Sequence, residues 1–220
     1  ELYKAAQPEV ALSFNFDSSG TLQKQIESGA AADVFLSAAQ KQMDALAEGG
    51  YLLEGTREDF LTNRVVLIAP EGSELGLTGF CDAADDKVAL VALGNSDVPV
   101  GQYAQEIFTA LGVWEEIFPK ASLGSNVKEV LAQVESGAVD LGVVYATDAA
   151  TATGVEVVAE APADSHRPVV YPGAVLKSSG SIDAAKAFLT FLETPEAVKV
   201  FEAVGFTMAP AASPAETPAA

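Results

Sequence analysis

The sequence is poor in the residues on which most catalytic and metal-binding sites depend. It contains one cysteine, Cys81, and one histidine, His166, among 220 residues. A single cysteine excludes an intrachain disulfide and a cysteine metal cluster, and a single histidine argues against a histidine-rich zinc site or serine–histidine chemistry. We expect His166 to lie in a surface loop.

Basic residues are also scarce. The chain has 12 lysines and arginines against 31 acidic residues, which gives a net charge of −19. Nucleic acids and anionic lipid surfaces both require a basic footprint, so we expect neither as a partner. No apolar run approaches the roughly 20 residues that a membrane-spanning helix needs. The chain starts at Glu1 without a methionine or a leader-like segment, so any leader has been removed or the sequence begins inside a domain.

Motifs of the common enzyme classes are absent. The sequence has no Walker loop, no G-x-G-x-x-G, no G-x-S-x-G elbow and no paired histidines. Asp140 and Asp148 flank an apolar segment, and we interpret them as solvated capping residues because spacing alone does not make an acid–base pair. We therefore expect no catalytic residues.

Strand-like and helix-like segments alternate along the chain. Residues 65–69 and 88–92 are wholly apolar, as is typical of strands in a covered parallel sheet. Further strands are predicted over residues 10–16, 33–37, 141–145, 155–159 and 169–176. Thr194-Pro195 divides the last helical stretch, and residues 209–220 have the composition of a disordered tail. The pattern predicts an α/β fold with mostly parallel sheets, helices on both faces and two lobes.

Three strand-to-helix junctions are candidates for binding chemistry, namely residues 16–21, 95–101 and 124–127. Each offers small side chains and free backbone N–H groups at a helix start, where the helix dipole favours an anion. None of the three contains lysine or arginine. An acidic protein can still hold an anion in this way, because the dipoles act at short range in a dry cleft while surface charge is screened beyond about 8–10 Å.

Each of these signals also has a purely structural interpretation. A Ser-Ser-Gly sequence, here Ser18 to Gly20, is more often a turn or a helix cap than a ligand. Val100 and Val127 could contribute only their backbone N–H groups. Tyr145 ends an apolar strand and could equally be a core tyrosine with a satisfied hydroxyl.

At these same positions the sequence resembles the molybdate-binding proteins of ABC importers. The stretches that carry the resemblance are residues 16–38 (FDSSGTLQKQIESGAAADVFLSA), 97–104 (DVPVGQYA), 141–148 (LGVVYATD), 164–172 (DSHRPVVYP) and 205–207 (GFT). The resemblance implies a type II periplasmic-binding-protein fold with the ligand cleft between its lobes. Lobe one would comprise residues 1–63 and 176–208, and lobe two residues 64–175.

The resemblance also implies a ligand and its contacts. The ligand would be molybdate or tungstate, a metal bound as a dehydrated oxyanion rather than as a bare cation, with no further cofactor. It would be held by the hydroxyl and amide of Ser19, the amides of Val100 and Val127, and the hydroxyl of Tyr145. The protein would act outside the cytoplasm, in the periplasm or tethered to the outer face of the membrane, and would deliver its ligand to an ABC permease.

Two departures from the family pattern affect these expectations. Family members begin with a strand ending in Ala-Ala-Ser-Leu, whose serine is another ligand, and this chain starts after that point. We therefore expect a gap in the first sheet, weak or absent oxyanion binding, and a monomer whose open sheet edge allows strand exchange. Gly20 stands where relatives often carry serine.

Three alternatives remain open on the sequence alone. The same fold could bind another oxyanion or a small organic acid. A two-lobed enzyme would need an acid or base in the cleft, and none of the three junctions supplies a convincing one. A transcription-factor effector domain would need an attached basic recognition helix, which is not found in the sequence.

Overall fold

The computed structural model describes residues 1–210, and residues 211–220 of the predicted tail lie outside the described residues. The α-helices are α1 (Leu2–Ala6), α2 (Ser19–Glu27), α3 (Gln40–Glu48), α4 (Pro99–Ala110), α5 (Trp114–Ile117), α6 (Val127–Glu135), α7 (Ala146–Thr151), α8 (Ile182–Leu192) and α9 (Pro195–Ala203). The strands are β1 (Val34–Leu36), β2 (Glu58–Asn63), β3 (Val65–Pro70), β4 (Val91–Gly94), β5 (Ala121–Gly124), β6 (Leu141–Tyr145), β7 (Val155–Glu160), β8 (Val169–Val175) and β9 (Thr207–Met208). Short 3-10 helices cover Phe80–Ala84 and Phe118–Lys120.

A four-stranded sheet in the order β1-β8-β2-β9 forms what we call lobe one. One face is covered by α2 and α3, whose apolar residues Ile26, Met43 and Leu46 pack on Phe35. The other face is covered by α8, which contributes Leu189 to a second cluster. Full burial of each such side chain contributes roughly 1.5–3 kcal/mol, so these two clusters hold the sheet and its helices together.

A five-stranded sheet in the order β5-β4-β6-β3-β7 forms what we call lobe two. On one face, Ile107 and Phe108 of α4 join the larger core cluster. On the other face, Val130 and Val134 of α6 pack in a smaller cluster with Ile68. The predicted coverage of the sheet by helices on both faces is therefore found in this lobe.

The predicted mostly parallel arrangement holds only at the centre of lobe two. There β4 pairs in parallel with β5 and with β6, whereas β3 is antiparallel to both β6 and β7. Within lobe one the pairings of the named strands are antiparallel. Strands β3 and β8 are the first strands after the chain passes from one lobe to the other. They are antiparallel to their neighbours because no strand–helix–strand crossover, which parallel pairing requires, precedes them.

The chain passes between the lobes at two places. Arg64 separates β2 of lobe one from β3 of lobe two, and residues 161–168 lead from β7 back to β8. The second passage, at residues 161–168, comes earlier in the chain than the predicted end of lobe two at residue 175. The reason is that β8 forms hydrogen-bonded pairs with β1 and β2, which places it in the sheet of lobe one.

The strand predicted over residues 10–16 is wrong, because this segment pairs with no strand among the described residues. It is exposed, with 82% of Phe16 accessible, and the Phe14 and Phe16 rings stack at 5.7 Å on one side of it. Strand β1 is an edge strand whose only partner in its sheet is β8. An alternating pattern forms a strand only where it pairs with a neighbouring edge, and residues 10–16 pair neither with β1 nor with another described strand.

Candidate oxyanion-binding site

Three of the four predicted site residues follow neighbouring strands of lobe two. Because β4 pairs in parallel with β5 and β6, the carboxyl ends of all three strands lie at one edge of the sheet. Gly94 at the end of β4 lies opposite Gly124 at the end of β5, and the next amide, that of Asn95, donates to the Gly124 carbonyl at 2.9 Å. The loops that lead to Val100 and Val127 are therefore adjacent, and Tyr145, the last residue of β6, lies at the same edge of the sheet.

Val100 and Val127 both stand in the first turn of a helix. Val100 follows Pro99 in α4, and its side chain is fully buried. Val127 is the first residue of α6, which is capped by Asn126 accepting from the Glu129 amide at 3.0 Å. N–H groups in a first turn have no partner within the helix, and the hydrogen bonds found within residues 1–210 do not use either valine amide. Both amides are thus free to donate to an anion.

Ser19 is the one predicted site residue that lies in lobe one. It is 5% exposed and begins α2, with Ser18 as the cap that accepts from the Thr21 amide at 3.3 Å. The Ser19 hydroxyl oxygen accepts from the Ala38 amide at 2.9 Å. Because this bond uses an oxygen lone pair, the hydroxyl hydrogen of Ser19 remains available for a second acceptor.

The backbone of Ala38 brings Ser19 and Tyr145 together across the cleft. The Tyr145 hydroxyl donates to the Ala38 carbonyl at 3.4 Å, a long and weak bond, while the Ala38 amide donates to Ser19. Two predicted site residues from different lobes therefore share one neighbour. The position of Val127 is fixed by the pairing of β5 with β4 in lobe two. Among the described residues, no hydrogen bond joins Val127 to Ser19 or Tyr145.

The tyrosines of the site are neutral at physiological pH, and burial disfavours their ionised form further. Desolvation raises the pKa of Tyr145 well above its ordinary value, and smaller contributions come from Tyr171 and Tyr103. Desolvation likewise raises the pKa of Tyr103 to about 12. The ring centroids of Tyr171 and Tyr103 lie 5.8 and 6.4 Å from that of Tyr145. A neutral phenol keeps its proton, so Tyr145 can act as a hydrogen-bond donor at any physiological pH.

Sequence reasoning missed the polar contacts around Tyr171 and Tyr103, the two tyrosines next to Tyr145. Asn63, at the end of β2, donates to the Tyr171 hydroxyl at 3.1 Å and to the Thr147 hydroxyl at 2.8 Å, and the second bond joins the two lobes. Arg167 lies over the Tyr103 ring at 5.7 Å and pairs with Glu106 at 2.7 Å. The side chains come from distant parts of the sequence, and no spacing pattern could have predicted their proximity.

Asp148 is not the solvated capping residue that the sequence predicted. It lies in the first turn of α7, and desolvation raises its pKa to about 6, against smaller opposing effects of the Tyr145 backbone N–H and of Lys128. The folded-state pKa is therefore above the unfolded value of 3.8. Ionisation of the buried Asp148 carboxyl lowers the free energy of unfolding. This loss is absent below about pH 4, grows as the pH rises, and is complete above about pH 6.

Replacing Asp148 with asparagine is expected to stabilise the protein in a pH-dependent way. The Asp148→Asn variant should match the parent chain near pH 4 and exceed its free energy of unfolding by about 2 kcal/mol at pH 8, because the buried charge is removed. Urea unfolding at both pH values measures the difference. Asp164→Asn, at an exposed loop position, is the control and should change neither value. A variant less stable than the parent at pH 8 would show that the carboxylate is stabilising.

The described residues include no group of three or more histidine, cysteine, aspartate or glutamate side chains that could hold a metal ion. None of the helices within residues 1–210 combines the length and hydrophobicity needed to cross a membrane. The site offers donors from helix starts and hydroxyls, which suit an anionic ligand.

Two sheet-based lobes with hydrogen-bond donors between them are typical of the class of two-lobed solute-binding proteins. Residues 1–207 match the family model of the bacterial extracellular solute-binding proteins, and the chain belongs to that family. The family membership that the sequence resemblance predicted is therefore confirmed.

Individual relatives agree with this assignment. The chain is 39% identical over 206 residues to the putative ABC transporter substrate-binding lipoprotein YvgL of Bacillus subtilis, covering 93% of this chain and 78% of that protein. It is 37% identical over 211 residues to the molybdate-binding protein ModA of Haemophilus influenzae, covering 93% and 82%.

Solved structures have the same fold. The substrate-binding domain of a putative molybdenum ABC transporter from Clostridium difficile is 38% identical, with a TM-score of 0.72 and coverage of 95% of this chain and 91% of that one. The periplasmic molybdate-binding protein of Azotobacter vinelandii superposes with a TM-score of 0.84 at 24% identity, covering 95% and 92%, and bears on the fold alone. The predicted two-lobed α/β fold is confirmed.

Proposed function

We propose that this protein binds molybdate or tungstate in the cleft between its lobes and delivers it to an ABC permease. The observation that carries the proposal is the position of Val100 and Val127, whose amides at helix starts point from adjacent strand ends without an acceptor among the described residues. Ser19 in lobe one keeps a free hydroxyl hydrogen, and Tyr145 in lobe two can turn its hydroxyl to a ligand from the long 3.4 Å bond to the Ala38 carbonyl. The molybdate-binding names of relatives at 37–39% identity support the choice of ligand.

The chemistry of the donors favours a fully deprotonated oxyanion. Amides and neutral hydroxyls donate to the oxygens of molybdate, and these charge-assisted bonds contribute roughly 1.5–3 kcal/mol each. A protonated phosphate would bring its own O–H hydrogen close to the N–H and O–H donors of the site, where it finds no acceptor. Phosphate binding is therefore disfavoured. Sulfate is smaller, and amides fixed at the starts of α4 and α6 cannot all move inward to follow it. We propose binding without catalysis and without a further cofactor.

Thermal unfolding with a panel of oxyanions tests the ligand. Molybdate and tungstate at 5 mM are expected to raise the unfolding midpoint by several degrees, whereas sulfate and phosphate are expected to leave it unchanged, because only a specific ligand stabilises by mass action. Millimolar ligand is appropriate because residues 10–16, which lead into the Ser19 loop, form no strand pairing and the affinity is expected to be weak. Equal shifts with sulfate, or none with molybdate, would contradict the proposal.

The proposed location is outside the cytoplasm, either in the periplasm or held at the outer face of the membrane. The family description as extracellular and the lipoprotein name of the Bacillus subtilis relative support it. Alkaline phosphatase fused to the protein as expressed from its own gene should be active, and an inactive fusion would contradict this location.

We further propose a monomer that can exchange strands at high concentration. The support is the open edge of β1 together with the exposed Phe14 and Phe16. Light scattering is expected to show a dimer fraction that rises with concentration and falls in the Phe14→Ser, Phe16→Ser variant. A fraction unaffected by those substitutions would contradict strand exchange.

A further inference from the structure

The two lobes meet at the rim of the cleft through residues that are not among the predicted ligand contacts. Gly20, the second residue of α2 in lobe one, packs against Asp97 in the turn between β4 and α4 of lobe two. A Cβ atom added to Gly20 would lie 2.1 Å from the Asp97 carbonyl oxygen and 2.9 Å from its carbonyl carbon. With the two segments in this arrangement, a side chain at position 20 would overlap the backbone of Asp97, so a relative with serine there must hold them farther apart.

The same aspartate also forms an ion pair between the lobes. The Lys24 ammonium, one helical turn after Gly20, lies 2.5 Å from a carboxylate oxygen of Asp97. The Lys24 and Asp97 side chains are 61% and 47% exposed, so the pair is solvated and should be sensitive to salt. We call Gly20, Lys24 and Asp97 together the rim contact.

We infer that the rim contact holds the cleft closed and thereby sets how long the ligand stays bound, an inference that rests on the proposed oxyanion-binding function. The contacts of Gly20 and Lys24 with Asp97 join the lobes and form part of neither lobe's core clusters. Their free energy therefore adds to the closed state and leaves the folding of each lobe unchanged. A methyl group at position 20 would have to push α2 away from the turn, because its nearest neighbour is a backbone atom that cannot rotate aside.

Gly20→Ala is the principal test of this inference. The variant is expected to bind molybdate roughly tenfold more weakly by calorimetry, as a strained closed state requires. Its unfolding midpoint without ligand should stay within about 2 °C of the parent, since the open form carries no overlap. Gly180→Ala is the matched control, because a Cβ there meets nothing within 4 Å and should leave the affinity unchanged.

The ion pair is tested by a double-mutant cycle with Lys24→Met and Asp97→Asn. Each single variant is expected to weaken molybdate binding about two- to fivefold, the double variant no more than either single one, and the effect should vanish in 0.5 M NaCl. Arg57→Met removes an ion pair with Asp44 that lies within lobe one, so it should leave the affinity unchanged.

The outcomes separate this inference from the proposed function. If molybdate and tungstate fail to stabilise the parent chain, the proposed function is wrong and the inference falls with it. If the parent binds and Gly20→Ala binds equally well, the inference alone is wrong. A loss of ligand-free stability in Gly20→Ala as large as its loss of affinity would also overturn it, because the rim contact would then be a folding contact.

Discussion

Replacing Gly101 with alanine is expected to lower the free energy of unfolding by roughly 3 kcal/mol, at the upper end of the usual cost of overpacking. Gly101 lies in the first turn of α4, where the helix crosses the end of β4. An added Cβ would stand 2.1 Å from the Gly94 carbonyl oxygen and 2.7 Å from that of Asn95. Both neighbours are backbone atoms, so the helix itself would have to move.

The displacement would reach the core of lobe two. Tyr103, Ile107 and Phe108 of α4 belong to the largest buried cluster, and none of them can follow the helix outward without leaving a cavity. Urea unfolding measures the loss, with Gly180→Ala as a control that should stay within about 0.5 kcal/mol of the parent. A Gly101→Ala variant as stable as this control would show that α4 does not rest on β4 as closely as described.

Much of this fold could be predicted from local sequence patterns. Apolar segments at residues 65–69 and 141–145 predicted the buried strands β3 and β6, whereas the strand predicted over residues 88–92 covers Val91–Gly94. Thr194-Pro195 marked the boundary between α8 and α9. Gly112 and Gly137 adopt positive φ just after α4 and α6, as is usual for glycines that end helices. These features depend on residues close together in the chain, which is why the sequence alone reveals them.

Features that depend on distant partners could not be predicted in this way. Strand β2 carries polar residues and is a strand because β8 and β9 pair with it. Residues 10–16 have a strand pattern but no partner. Asp148 has the sequence context of a helix cap, yet its burial raises its pKa. In each case the outcome is decided by contacts made in three dimensions.

The candidate site also has some features that local sequence predicts and others that depend on distant partners. Helix starts at Val100 and Val127 follow from junction chemistry that is visible in the sequence, and parallel pairing of their preceding strands explains why they are adjacent. The shared contact of Ser19 and Tyr145 with Ala38 and the rim contact join residues from the two lobes. Those contacts required the structure. The roles of Ser19, Val100, Val127 and Tyr145 in binding remain predictions.

Val127→Pro is expected to weaken molybdate binding by roughly tenfold to a hundredfold, because it deletes one charge-assisted N–H donor and little else. Proline is well tolerated as the first residue of a helix. The preceding residue, Asn126, already has the extended conformation that proline requires, with φ −157° and ψ 169°. Its cap bond to the Glu129 amide does not involve Val127. The substitution therefore removes the proposed donor while α6 keeps its start.

The most direct test of the account is calorimetric titration of molybdate into Val127→Pro and Val127→Ala side by side. Both substitutions remove the branched valine side chain, but only alanine keeps the backbone N–H. The account predicts that Val127→Ala binds within about threefold of the parent while Val127→Pro loses at least about tenfold, with ligand-free stabilities within about 1 kcal/mol of each other. Equal affinities for the two variants would contradict the claim that backbone amides at helix starts hold the oxyanion.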